Sequence, residues 1–280
     1  MAAADRAQPR GAYGLRVRGV DAARDLLVEA EPGWPAIELA WRLGESSVEH
    51  EWVREESALL RLRTGGHIEI DRAAEQVVFV VPRELRDEEL VHPYLSPVAA
   101  VMAHWTGRES VHAGAVVVNG GVWGVVGDRE SGKSSTLAWL ASHGTEVVCD
   151  DMLVLEGGRA FAGPRSIDLR EDSAELLGVG EAIGVAGARP RWRVRLGPVR
   201  QGLELKGWVF LDWGDRVGAE PLRGGQRIGS LLQHRGARLP SRDPSALLEL
   251  AALPAWELRR PRVWDSLPDA ADCLLELASR

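Results

Sequence analysis

Short apolar runs dominate the chain from Tyr13 to about Pro82, at 14–17, 36–41, 59–62, 67–70 and 77–81. In several of them apolar and polar residues alternate, and a period of two predicts an antiparallel sheet with one wet face. Residues 1–95 are therefore read as a β-rich lobe. At Ser96 the pattern changes to a helix over 96–106, with Ser96 as cap and Pro97 at its first position. That helix leads into a second unit, residues 96–280.

Strands and helices mix in this second unit. Two apolar runs, 115–118 and 121–126, flank Asn119-Gly120, a strong hairpin signal. A helix over 134–141 follows and ends at Gly144, and a short strand then runs into Asp150 and Asp151. Another apolar strand is expected at 207–212. Three helices should close the chain, at 225–235, 244–252 and 268–278, with Pro244 and Pro268 at first positions and Asp243 as a cap. The fold class expected is α/β.

Composition narrows the setting. A chain of 280 residues with 45% hydrophobic content can bury a substantial core. No stretch approaches the length of a membrane-spanning helix, and Met1–Arg6 lacks the apolar segment of a signal peptide. A cytoplasmic protein without a membrane partner is expected. Cys149 and Cys273 are too few for a disulfide framework or a zinc site. A net charge of −7 argues against nucleic acid as a partner. The 11 tryptophans show no repeat and read as packing anchors.

Chemistry concentrates at Gly127-Asp128-Arg129-Glu130-Ser131-Gly132-Lys133-Ser134, which fits GxxxxGK followed by Ser or Thr. Glycines at both ends let the backbone curl and turn its N–H groups toward polyphosphate oxygens. Lys133 would reach the β and γ phosphates of ATP. Ser134 would hold Mg²⁺, and Ser135 continues the nucleotide-contacting run. The bland alternative is a glycine-rich turn with no ligand. Asp150 follows Lys133 by 17 residues, and a carboxylate at the end of a parallel strand beside the loop can bind metal or take a proton from a hydroxyl. His112, ahead of the hairpin, is either an active-site or a structural histidine. Asp168 and Arg170 read as a metal ligand and a phosphate neutraliser, or as a surface ion pair. Arg191, Arg193 and Arg195 share one face if 189–196 is a strand. Crowded cations need an anion, which could be nucleotide phosphate, an acidic substrate or neighbouring carboxylates.

The order His112, loop 127–134, Asp150-Asp151 resembles the catalytic domain of the HPr kinase/phosphorylase family and its HPr-kinase-like relatives, which share a core with phosphoenolpyruvate carboxykinases. The resemblance covers roughly residues 95–235. It implies a P-loop kinase core, with a γ-phosphoryl group passed from ATP to a hydroxyl, usually serine, of a peptide, small protein or metabolite. By the same resemblance Asp150 is similar to the general base, Asp151 to a metal or lysine partner, and His112 to an assisting histidine. Arg193 is placed with the nucleotide-binding residues, and Asp168 with Ser134 and Asp151 at the metal. Where that family usually has another glycine this chain has Glu130, which is expected to keep a negative φ. No counterpart of the signature for the reverse, phosphorylase reaction is seen. A regulatory NTPase without a phosphorylated product and a carboxykinase-like enzyme are the alternatives, and homo-oligomerisation stays open.

Overall fold

A computed structural model describes residues 8–45, 48–236 and 239–279. Met1–Arg6, read above for a leader, lies outside them. The molecule is a mixed α/β structure with several sheets. The first holds β1 (Arg10–Ala12), β2 (Leu15–Arg18), β3 (Val28–Glu29), β4 (Ala36–Leu43), β5 (Trp52–Val53), β6 (Ser57–Arg61), β7 (His67–Asp71) and β8 (Gln76–Val81), in the order β3-β1-β2-β4-β8-β7-β6-β5. It is mixed rather than purely antiparallel. The meander β5 to β8 returns β8 to the side of β4 in the same direction, and β2 also runs parallel to β4. Period-two patterning reports which face is buried, not which way a neighbour runs.

Helices α1 (Asp87–Val91) and α2 (Leu95–Trp105) follow. Ser96 does not cap α2. The residue before the helix is Tyr94, and the Ser96 hydroxyl lies 3.3 Å from that of Tyr13. Pro97 sits in the first turn, where a missing N–H costs nothing.

The chain then forms β9 (Glu109–Val111), β10 (Ala113–Val118), β11 (Gly121–Val126), α3 (Lys133–Ser142), β12 (Val147–Cys149), β13 (Leu153–Glu156), β14 (Arg159–Phe161), β15 (Ser166–Leu169), α4 (Glu171–Leu177), β16 (Glu181–Ala186) and β17 (Arg189–Arg195). It closes with β18 (Leu205–Trp213), β19 (Gly218–Pro221), α5 (Gly225–Gln233), α6 (Pro244–Ala252), β20 (Ala255–Arg260) and α7 (Leu267–Ala278). The central sheet has the order β12-β10-β11-β18-β20-β19. Asn119 at φ 50° and Gly120 at φ 76° make the two left-handed residues of a tight hairpin turn, and the register runs from Val118↔Gly121 to Ala113↔Val126. Asp243 caps α6 by accepting from the N–H groups of Ser245 and Ala246.

Side chains of the central sheet alternate between two cores. Val125, Val209 and Leu258 join Leu137 and Leu140 of α3 and Leu274 of α7. Val126, Trp208 and Phe210 join Leu95 and Val98 of α2 and Ile37 and Phe79 of the first sheet. Each fully buried Leu or Phe contributes roughly 1.5–3 kcal/mol, so the sheet is held firmly from both faces.

Candidate active site

Residues 127–132 join β11 to α3, and both end glycines are required by what packs against them. A Cβ at Gly127 would lie 2.5 Å from Ser131 Oγ and 3.0 Å from the Leu211 carbonyl of the neighbouring strand. Gly132 has φ 89°, and a Cβ there would meet Arg260 Nη2 at 2.7 Å. Between them Ser131 N–H donates to Asp128 O, which tightens the turn. Lys133 opens α3, is buried, and its Nζ donates to Gly127 O at 2.6 Å, closing the two ends of the loop on each other. Burial pushes the Lys133 ammonium down, against the opposing pull of Asp150, Asp151 and Asp128.

Glu130 departs from the expected negative φ. It stands at φ 69°, in the left-handed region that glycine occupies freely, and its exposed carboxylate pairs with Arg170 and lies 3.9 Å from Arg189. The loop curvature sets this angle. A side chain does not change the curvature the segment must follow, so the residue is strained rather than the loop redrawn.

The strand β12 carries Asp150 and Asp151 toward the loop, but it is not the loop strand's direct neighbour. It pairs antiparallel with β10, which lies between it and β11. Its direction is therefore parallel to β11 at one strand's remove. Arg165 braces β12 from behind, donating to the carbonyls of Val147 and Val148 and to Gly197 O. Asp150 is only 6% exposed, and burial lifts its carboxyl to about 6, opposed by His92, by a hydrogen bond from Ser134 and by Lys133. Its Oδ1 is buried without a hydrogen-bond partner among the described residues. The carboxylate thus faces the loop with one oxygen unused.

His112 occupies the single residue between β9 and β10. Because Ala113 is paired with Val126, the histidine comes level with the start of the loop. Its Nδ1 is 3.4 Å from Asp151 Oδ1, and burial holds the imidazole below its ordinary range despite that carboxylate. The backbone N–H of His112 donates to His234 O at 2.6 Å. His234 in turn has Nε2 3.2 Å from Asp128 Oδ1, and Gln233 donates to the same oxygen at 3.3 Å. The carboxyl end of α5 therefore rests on both His112 and the loop. Nothing in the periodic pattern of 225–235 pointed to this contact.

Asp168 and Arg193 lie apart from these groups in their bonding. Arg193 Nε and Nη2 donate to Asp168 Oδ1 and Oδ2, each at 2.7 Å, and Arg193 is 3% exposed. Nη2 also donates to His92 O, and Glu88 lies 3.7 Å from Nη1. His92 and Arg193 keep the Asp168 carboxyl low although burial alone would raise it. The arginines of the stripe share a face of β17, and two of them meet carboxylates, Asp168 for Arg193 and Asp25 and Glu88 for Arg195, while Arg191 donates to the Asp168 carbonyl at 3.5 Å. Ser135 points away toward α4, with its hydroxyl 3.4 Å from that of Ser173. Arg129 is exposed on the loop.

Oxygen donors dominate the centre of the site, namely the Ser134 hydroxyl, Asp150 and Asp151. Among the described residues no group of three or more His, Cys, Asp or Glu side chains converges on one point. A hard cation held by a carboxylate, a hydroxyl and ligand phosphates suits Asp151 and Ser134, and the unpartnered Asp150 Oδ1 is left as a proton acceptor. No helix among the described residues is long and apolar enough to cross a membrane.

No protein-family model and no curated protein matches the chain. Among solved structures, the Hpr(Ser) kinase/phosphatase from Coxiella burnetii is distantly similar, with 13% identity and a TM-score of 0.30 over 61% of this chain and 97% of that one.

Proposed function

We propose that the protein is a P-loop phosphotransferase that moves the γ-phosphoryl group of ATP to a hydroxyl, serine-like, on a peptide, small protein or metabolite. The observation that carries this reading is the buried Asp150 facing the GxxxxGKS loop, where Ser134 and Lys133 both act to lower a carboxyl that burial lifts. It joins a phosphate-binding pattern to a candidate base in one place.

Mg²⁺-ATP would supply the phosphoryl group and its charge neutralisation, with Ser134 and Asp151 as the residues that would hold the metal. Lys133 releases Gly127 O and turns its ammonium to phosphate, where desolvation strengthens the attraction. Asp150, lifted to about 6 by burial, is ionised near neutral pH yet basic enough to accept the acceptor's hydroxyl proton. His112 orients Asp151 through their 3.4 Å contact. The backbone N–H groups at the start of α3 add the positive end of a helix.

Incubating the protein with Mg²⁺-ATP and candidate hydroxyl acceptors, followed by mass spectrometry, tests the proposal. A gain of one phosphate on an acceptor hydroxyl is expected. ADP release without any phosphorylated product would favour a nucleotide-driven switch, a reading that the ties from Gln233 and His234 to Asp128 also support.

A further inference from the structure

Strands β11, β18 and β20 run parallel, so their carboxyl ends emerge on one edge of the central sheet. Ligands of α/β sheets gather at such an edge. The first strand ends in the loop, the second in Trp213 and the third in Arg260, and the last two are direct cross-strand partners. The Arg260 guanidinium stacks on the Trp213 ring, 4.5 Å from its centroid. Both side chains press on Gly132, since a Cβ there would meet Arg260 Nη2 at 2.7 Å and Trp213 Cη2 at 3.4 Å.

Arg260 is 5% exposed and faces no carboxylate among the described residues. Its Nη1 reaches only Pro261 O, Val263 O and Ser266 Oγ, each at 3.4 Å, and Nη2 donates to none of the described residues. The other buried arginines are better satisfied. Arg193 has two 2.7 Å bonds to Asp168, and Arg165 has two bonds under 3 Å to carbonyls. A desolvated cation without an anion is expensive to keep. Its position beside the last glycine of an anion-binding loop supplies the reason.

We infer that Arg260 is a second phosphate-binding cation of the 127–134 loop, acting from the Gly132 side, with Trp213 as the positioning residue that fixes the guanidinium plane. The inference rests on the nucleotide-binding reading and extends it to a residue more than a hundred positions from the loop. The ligand chemistry is a polyphosphate, which the planar fork of an arginine can bridge with two parallel hydrogen bonds.

Calorimetry on the full chain, with tripolyphosphate and with Mg²⁺-ATP as probes, separates the possibilities. Arg260→Met should weaken both probes by about 10- to 100-fold, the range for loss of a charged hydrogen bond. Arg260→Lys keeps the charge but not the fork, and should fall between. If Lys133→Ala loses binding while Arg260→Met stays within about twofold of wild type, Arg260 is a structural brace and the inference is overturned with the nucleotide reading intact. If the wild-type protein binds neither probe, the nucleotide reading itself fails and the inference with it. A crystal structure of the wild-type protein with tripolyphosphate decides the matter even if Arg260→Met does not fold. A guanidinium nitrogen within hydrogen-bond reach of a phosphate oxygen, about 3.2 Å or less, is expected. A guanidinium beyond reach both directly and through one water overturns the inference.

Discussion

Glu130 reaches out of the loop to pair with Arg170 while its own backbone is held at φ 69°. Two separable effects meet in this residue. Its carboxylate adds negative charge to the loop and engages Arg170, and its Cβ strains the turn. Glu130→Ala removes only the charge, whereas Glu130→Gly removes both. Each variant should bind Mg²⁺-ATP up to roughly fivefold more tightly, the scale of one exposed charge interaction. Only Glu130→Gly should also be more thermostable than Glu130→Ala, because glycine adopts the left-handed angle freely. Calorimetry and a thermal melt of the two variants check both halves.

Lys133 is the one ammonium folded into the loop, and its bond to Gly127 O keeps the loop closed on itself. Lys133→Ala should weaken Mg²⁺-ATP binding by about 10- to 100-fold and abolish transfer. Unchanged affinity together with unchanged turnover would show that residues 127–134 do not hold the nucleotide.

Asp150→Asn separates chemistry from binding and also leaves a trace in stability. Transfer should fall by about 10²–10⁴, the range for losing a general base, while Mg²⁺-ATP still binds. In the wild type kcat/KM should rise as pH increases through about 6, where the carboxyl ionises. The folded-state value lies above the ordinary 3.8, so the fold favours the protonated group. That favour is complete below about 4 and is lost as pH rises through 6, at a cost on the order of 3 kcal/mol. The asparagine variant carries no such charge. Urea unfolding of both proteins should therefore give similar stabilities near pH 4, with Asp150→Asn the more stable by pH 7.

His112 and Asp151 are expected to act as a pair. His112→Ala and Asp151→Asn should each slow transfer by roughly tenfold or more, and the double variant should lose clearly less than the product of the two. A coupling energy of about 0.5–3 kcal/mol in this cycle is the signature of direct contact. Strictly multiplicative losses would mean that the 3.4 Å contact does nothing for the reaction.

The hairpin, the loop helix, its stop at Gly144 and the Asp243 cap are visible in the sequence, because each is set by residues within a few positions of one another. Gly144, at φ 88°, and Asn119-Gly120 announce themselves by backbone chemistry that few other residues tolerate. Long-range placement is another matter. The insertion of β10 between β11 and β12, the parallel pairing of β4 with β8, and the seating of Arg193 on Asp168 depend on which distant segments share a face. Local signals also misled where a tertiary partner competed. Ser96 looks like a cap but spends its hydroxyl on Tyr13. His234 and Arg260 carry no motif at all, and only the folded chain places them against the loop.

Residues Asn119 and Gly120 lie a full strand length from the loop, some six residues or about 20 Å along the hairpin. The register they impose puts His112 beside Gly127, and side chains on a strand change face with every step. Substitutions at this remote turn that allow a one-residue slip would carry the histidine out of the site and rotate Val116 out of its core. A screen for inactive variants should therefore recover changes at the turn alongside those in the loop, and a reader ranking positions by distance from the chemistry would wrongly set them aside.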